Sequence, residues 1–231
     1  MTMKVQAVLF DMDGVIINSG ADIALSVNAA LEAFGYKTLP EDVLVSFVGD
    51  GAKKLLIRAL EYQNADAANM KNFQEFFEWY VDWYRKNPVN KTVLYPGMYE
   101  LLETLKEKSV YAAVVSNKPL SVAQTILMHF KIGGFFDAVI GPERLSKIKP
   151  DPEGLALAVS DIEKKRGVRL ERSRIIMVGD SASDIQAGRA FGCITCAVTE
   201  GLGNRKKLLE EKADIVVPYA GDLKNSGLFS A

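Results

Sequence analysis

The segment Val8-Leu9-Phe10-Asp11-Met12-Asp13-Gly14-Val15 constrains this chain more than any other, because an apolar run delivers two aspartates, one residue apart, into a glycine turn. A short apolar run bounded by a turn reads as an interior strand of a parallel sheet. In open α/β sheets, ligands gather just beyond the carboxyl ends of such strands. Asp11 and Asp13 are therefore expected where chemistry takes place. The same residues also suit an ordinary Asx turn, so the reading rests on three matching signals downstream.

Apolar runs recur at Val110 to Ser116, Asp137 to Gly141, Arg174 to Asp180, Cys193 to Val198 and Asp214 to Val217. Amphipathic stretches separate them: Met98 to Lys108, Leu120 to Phe130, Glu153 to Arg166, Ser183 to Phe191 and Arg205 to Lys212. Strands alternating with helices of this length predict β-α-β units and an α/β fold with a Rossmann-like parallel sheet covered on both faces. Residues Ala21 to Asn87 break the alternation, carrying helical patterns and no convincing strand. An inserted helical domain over 20–90 is expected, with the core formed by 1–19 and 91–231, the joins falling at Ser19-Gly20 and before Tyr95-Pro96-Gly97. Within the insert, Phe73, Phe76, Phe77, Tyr80 and Tyr84 recur at helical spacing and are expected to form its core, with Trp79 and Trp83 on a neighbouring face.

The second signal is Val114-Val115-Ser116-Asn117-Lys118-Pro119, an apolar run ending in a hydroxyl and an amide before a helix. A phosphate group suits such a place, held by the Ser116 hydroxyl and by backbone N–H groups, with help from the helix dipole. The third is Lys147-Ile148-Lys149-Pro150-Asp151-Pro152, where Asp151 suits an N-cap and Pro152 the first helical position, fixing Lys149 just ahead of a helix. The fourth, Ile176-Met177-Val178-Gly179-Asp180-Ser181-Ala182-Ser183-Asp184, again releases an apolar run into an acidic turn. Asp180 is expected to meet Asp11 at one sheet edge, where clustered carboxylates call for a cation and hard oxygen ligands suit Mg²⁺. Asp184, one turn into the next helix, is better placed to support those ligands than to be one.

These four signals, in this order, resemble the haloacid dehalogenase superfamily, whose pattern is D-x-D-G-[VT], then S/T, then K, then G-D-x-x-x-D. Asp11, Asp13, Ser116, Lys149, Asp180 and Asp184 occupy those places. The resemblance implies that Asp11 is the nucleophile and Asp13 the acid and then the base. It also implies that Ser116, Asn117 and Lys149 bind the phosphoryl group, and that Mg²⁺ is held by the Asp11 carboxylate, the Asp13 backbone carbonyl and Asp180. An alkoxide leaving group needs a proton, whereas a departing halide does not, so Asp13 points to a phosphatase or mutase rather than a true dehalogenase.

The insert resembles the cap of the superfamily's phosphoglycolate phosphatase-like branch. Its segment Val48-Gly49-Asp50-Gly51-Ala52-Lys53-Lys54-Leu55-Leu56 is similar to that branch's V-G-x-G-A-x-x-L loop. Gly49, Gly51 and Lys53 are the expected specificity residues, with Lys53 or Lys54 reaching a substrate carboxylate. The implied activity is Mg²⁺-dependent hydrolysis of a small phosphomonoester, with 2-phosphoglycolate the leading candidate. A β-phosphoglucomutase-like phosphosugar mutase is the alternative, and a non-catalytic binding protein on the same scaffold a more distant one. Val15 stands where many phosphatases of this branch have threonine, as it does in several sugar-phosphate mutases.

Lysine and arginine number 28 against 29 aspartates and glutamates in 231 residues, a balance that argues against nucleic acid or an anionic membrane as partner. With no apolar stretch long enough to span a bilayer and no signal-peptide pattern, a cytoplasmic monomer or homodimer acting on a small phosphorylated metabolite is expected. Cys193 and Cys196 form a nominal C-x-x-C, but they fall within a strand pattern, where residues three apart point to opposite faces. They are expected to be buried free thiols rather than a redox pair. His129, the only histidine, lies in a helical pattern with nothing linking it to the carboxylates, so a histidine-based mechanism is not expected.

Overall fold

Alternating apolar runs and amphipathic stretches fold here as expected, into one parallel sheet with helices on both faces; the computed structural model describes residues 4–65 and 71–229. In chain order the core begins with β1 (Ala7–Phe10) and β2 (Ile17–Asn18), and the helical insert follows as α1 (Gly20–Ala33), α2 (Glu41–Val45), α3 (Ala52–Glu61) and α4 (Phe73–Lys86). The chain returns through β3 (Val93–Leu94) and continues α5 (Met98–Glu107), β4 (Tyr111–Val115), α6 (Leu120–His129), β5 (Ala138–Ile140) and α7 (Glu153–Arg166). It finishes with β6 (Ile175–Gly179), α8 (Ala182–Phe191), β7 (Ile194–Val198), α9 (Arg205–Glu210) and β8 (Ile215–Val217).

The sheet order is β5-β4-β1-β6-β7-β8, every pairing parallel, so β1 lies at its centre between β4 and β6. Successive strand residues face opposite sides, and the core divides accordingly. Val8 and Phe10 pack with α5 and α6 residues such as Leu101 and Val122 on one face, whereas Ala7 and Leu9 pack with Leu155 of α7 and Ala187 of α8 on the other. The former cluster continues without a break into the insert through Leu31, Leu56 and Tyr80. Val15 is fully buried in it, away from solvent. Cys193, just before β7, packs into one layer and Cys196, within it, into the other, and both are free.

Two features join insert to core. Residues β2 and β3 pair antiparallel, Ile17 opposite Leu94 and Asn18 opposite Val93. This two-stranded ribbon was not apparent in the sequence, because two-residue strands carry no periodicity. Beside it, fully buried Asp22 accepts hydrogen bonds from the backbone N–H groups of Asn90, Lys91 and Thr92 and from the Thr92 hydroxyl.

Candidate active site

Register brings the four sequence signals to one edge. Phe10 pairs with both Val114 and Val178, so the residues just beyond, Asp11, Ser116 and Asp180, emerge together at the carboxyl end of the sheet. Gly14 has a φ of +83°, and a Cβ there would overlap the Asp180 carboxylate, so the turn after Asp13 needs glycine both for its backbone and for the close approach. Asp180 is fixed in turn by the backbone N–H groups of Leu202 (2.7 Å) and Gly203 (2.8 Å), which donate to its Oδ2.

Lys149 lies at the centre of the cluster. Its Nζ donates to Asp11 Oδ1 and to the Val115 carbonyl, both at 2.7 Å, and lies 2.6 Å from Asp184 Oδ1. Asp184 closes a capping box at the start of α8, its Oδ2 accepting from the Ser181 hydroxyl (2.6 Å) and backbone N–H (3.0 Å). That box and the lysine engage both Asp184 oxygens.

The electrostatics follow from burial. Removal from water pushes the Asp11 carboxyl up to about 6, with Asp184 and Asp13 adding to the rise and Lys149 opposing it. Burial, then the Asp11 and Asp184 charges, hold Asp180 well above the usual carboxylate range. Burial disfavours the Lys149 ammonium, yet Asp11 and Asp184 more than offset it and raise its proton affinity above the ordinary value. Oxygens of Asp11, Asp180 and Asp184 all lie within 4.8 Å of one another. Three carboxylates against one ammonium leave two negative charges uncompensated, and hard oxygen donors with that excess suit a divalent cation such as Mg²⁺.

Asp13 is held apart from this cluster. Lys118 Nζ lies 2.9 Å from its Oδ1 and 3.2 Å from its Oδ2, and the Ser19 hydroxyl donates to Oδ1 at 2.5 Å. Its side chain is thus engaged by Lys118 and Ser19, while Asp13 lines the same cavity as Asp11 and Asp180. Lys118 also bonds the hydroxyl of Tyr84, on α4 of the insert, at 2.7 Å. Neither Lys118, Ser19 nor Tyr84 was singled out as a site residue from sequence. For Lys118 the signal was present, since it sits inside the Ser116-Asn117-Lys118-Pro119 motif; Tyr84 was indistinguishable from the aromatic stripe that packs the insert, of which Phe76 and Tyr80 are buried and Phe73 and Phe77 partly so.

Other expected residues are placed differently. The Asn117 amide is turned to the protein, accepting from the Lys149 N–H (3.2 Å) and donating to the Lys149 carbonyl (3.3 Å) and the Gly49 carbonyl (3.5 Å). It braces the Lys149 loop and the insert, and Asn117 also lines the cavity between them. The first N–H of α6, that of Leu120, donates to the Glu143 carboxylate at 3.0 Å, so that helix terminus is capped by protein. Helix α7 starts one residue later than expected, with Pro152 at the N-cap position and Asp151 Oδ1 accepting from the Glu153 N–H at 3.0 Å. His129 is exposed at the end of α6, its ring against Phe130.

A cavity of about 40 Å³ opens between core and insert, lined on the core side by Asp11, Asp13, Ser116, Lys118, Lys149 and Asp180. On the insert side, Gly49 and Gly51 line it as expected, together with Val48, Ala52, Leu55 and Tyr80. Lys53 does not: it is exposed, and its ammonium sits 5.3 Å from the centre of the Phe77 ring. Its position two residues into α3 turns it outward, whereas Ala52, at the first position, faces the cavity.

The chain matches the haloacid dehalogenase-like hydrolase family over residues 8–198. It is 36% identical over 222 residues to the phosphoglycolate phosphatase of Haemophilus influenzae (strain 86-028NP), covering 94% of this chain and 95% of that protein. The phosphoglycolate phosphatase of Pasteurella multocida (strain Pm70) is also 36% identical, over 213 residues, covering 90% and 91%. Among solved structures, that of a predicted phosphoglycolate phosphatase from Haemophilus somnus 129PT superposes with a TM-score of 0.86 at 31% identity, covering 98% of this chain and 99% of that one.

Proposed function

From the premise that this chain belongs to the haloacid dehalogenase-like hydrolases and is a phosphoric monoester hydrolase, we propose that it cleaves 2-phosphoglycolate or a close analogue through an aspartyl phosphate on Asp11. The observation that carries this reading is the separation of two carboxylates one residue apart. Asp11 is bonded to Lys149 at 2.7 Å, beside Asp180 and Asp184, while Asp13 is bonded to a different lysine, Lys118, at 2.9 Å. Two environments for two carboxyl groups permit two roles.

In the first step an Asp11 oxygen attacks phosphorus and the ester P–O bond breaks, with Asp13 giving a proton to the departing alkoxide. In the second, Asp13 takes a proton from water as that water attacks the phosphorus of the aspartyl phosphate, and Asp11 is released. Charge on the transferring group is spread over its equatorial oxygens, and Lys149, the Ser116 hydroxyl and the Asn117 backbone N–H are the groups assigned to it. Mg²⁺, held by the Asp11 carboxylate, the Asp13 carbonyl and Asp180, would neutralise phosphoryl and carboxylate charge.

The cavity supports a small substrate. A space of about 40 Å³ between core and insert suits a small phosphomonoester. The buried position of Val15 also removes it from contact with substrate, so the residue shared with sugar-phosphate mutases does not favour a mutase here. The helical insert would act as a cap, excluding water and contributing Gly49 and Gly51 to the substrate's far end.

The test is phosphate release from a panel of phosphomonoesters of two to six carbons, with Mg²⁺ and again with chelator. Metal-dependent turnover that favours 2-phosphoglycolate is expected. A preference for hexose phosphates, or interconversion of sugar phosphates with a bisphosphate primer, would discard the substrate, and activity undiminished by chelator would discard the metal.

A further inference from the structure

Lys118 is a lysine whose side chain is 2% exposed, and no substrate is needed to satisfy it. Its ammonium meets both oxygens of Asp13, the Tyr84 hydroxyl at 2.7 Å, and the face of the Tyr84 ring at 4.3 Å from its centre. A buried ion pair gives little net stability, because desolvation offsets most of the attraction. What such a pair does supply is a fixed geometry. Here the geometry is unsymmetrical: Oδ1 of Asp13 accepts from both Lys118 and Ser19, whereas Oδ2 has only the longer contact of 3.2 Å to Lys118. Oδ2 is therefore the less engaged oxygen of a carboxylate that lines the cavity.

The three holders come from three segments. Ser19 precedes α1, Lys118 lies in the turn between β4 and α6, and Tyr84 is on α4 of the insert, which packs against α6. We infer that Lys118 is a positioning residue for Asp13, and that Tyr84 makes this positioning depend on the insert being seated on the core. The inference rests on the acid and base role given to Asp13 above. It adds that the acid is completed by a residue of the insert, so that proton transfer is coupled to closure over the substrate.

Leaving-group chemistry tests it. An alkyl phosphate needs a proton on its departing oxygen, whereas p-nitrophenyl phosphate releases a stable phenolate. Lys118→Met, Tyr84→Phe and Asp13→Asn would be compared on 2-phosphoglycolate and on p-nitrophenyl phosphate with Mg²⁺. Lys118→Met is expected to lower kcat/KM for the alkyl ester about 100-fold and for the aryl ester less than about 5-fold, the size of a lost general acid. The loss should fall in kcat, with KM within about threefold, and Tyr84→Phe should show the same selectivity at about 10-fold. Equal losses of kcat/KM on both esters, which reports the acid-assisted first step, or a raised KM with kcat intact, would overturn the inference, the latter showing that Lys118 grips substrate instead; kcat on the aryl ester also reflects the second step, in which Asp13 is the base. Asp13→Asn separates the two levels. If it discriminates between the esters and Lys118→Met does not, the positioning role alone fails; if it does not discriminate, the acid role of Asp13 fails as well.

Discussion

Asp22 and Thr92, seventy positions apart in the chain, are joined by hydrogen bonds from the Thr92 hydroxyl (2.6 Å) and backbone N–H (2.8 Å) to one carboxylate oxygen of Asp22. Asp22 lies in the first turn of the insert and Thr92 just past its end, so one buried carboxylate clasps the outgoing and returning chain together. Burial by itself would raise the Asp22 carboxyl, but hydrogen bonds from Thr92, Lys91 and Asn90 together hold it below the ordinary value.

Removing that carboxylate strands buried donors, at a cost of roughly 1–3 kcal/mol per unsatisfied group. Asp22→Ala is therefore expected to destabilise the fold by about 2 kcal/mol or more, read as a lowered midpoint in chemical denaturation. The pH dependence has a definite sign. Because the folded carboxyl is the stronger acid, its stabilisation is complete above the unfolded value of about 4 and is lost as pH falls through the lower, folded value. Asp22→Asn should flatten the decline of stability below pH 4 relative to the parent; an unchanged acid limb would show that Asp22 does not carry it.

Asp11→Asn should abolish turnover while the circular dichroism spectrum and thermal transition stay those of a folded protein, since volume is nearly unchanged. Substantial residual turnover would remove Asp11 from the nucleophile's place. Asp13→Asn should lose about 10²–10⁴-fold in turnover yet keep its metal affinity, because the backbone carbonyl remains.

Lys53→Ala is expected to change kcat/KM less than about twofold, in the manner of surface substitutions away from a site. Lys53 is exposed beside Phe77 and absent from the cavity wall. A rise of tenfold or more in KM for a carboxylate-bearing substrate would return it to the site.

Burial pushes the Cys193 and Cys196 thiols up to about 12, and the thiolate is the reactive form. Titration of the native protein with a thiol reagent at pH 8 should find neither reactive on the timescale of minutes, and both after unfolding. Fast labelling in the native state would contradict their burial.

Much of the site was legible along the chain because each signal couples an apolar strand to the residues just beyond it. Strand ends are local, and β1, β4 and β6 deliver Asp11, Ser116 and Asp180 with no more than a residue of uncertainty at each boundary. Lys149 was legible for the same reason, as a lysine fixed before a helix start. Lys53 was not, since whether a polar group on a first helical turn faces ligand or protein depends on what packs against it from elsewhere.

The sequence by itself determined the α/β alternation, the carboxylates at the strand ends and the chemistry those groups can support, because hydrophobic periodicity and turn residues act over a few positions. Only the tertiary structure decided which lysine holds which aspartate. Lys149 meets Asp11 across 138 residues, Lys118 meets Asp13 across 105, and Tyr84 reaches Lys118 from a helix of the insert. Those pairings depend on strand order, on parallel register and on the seating of one helix on another, which are set by burial of the whole core and are written in no single segment of the chain.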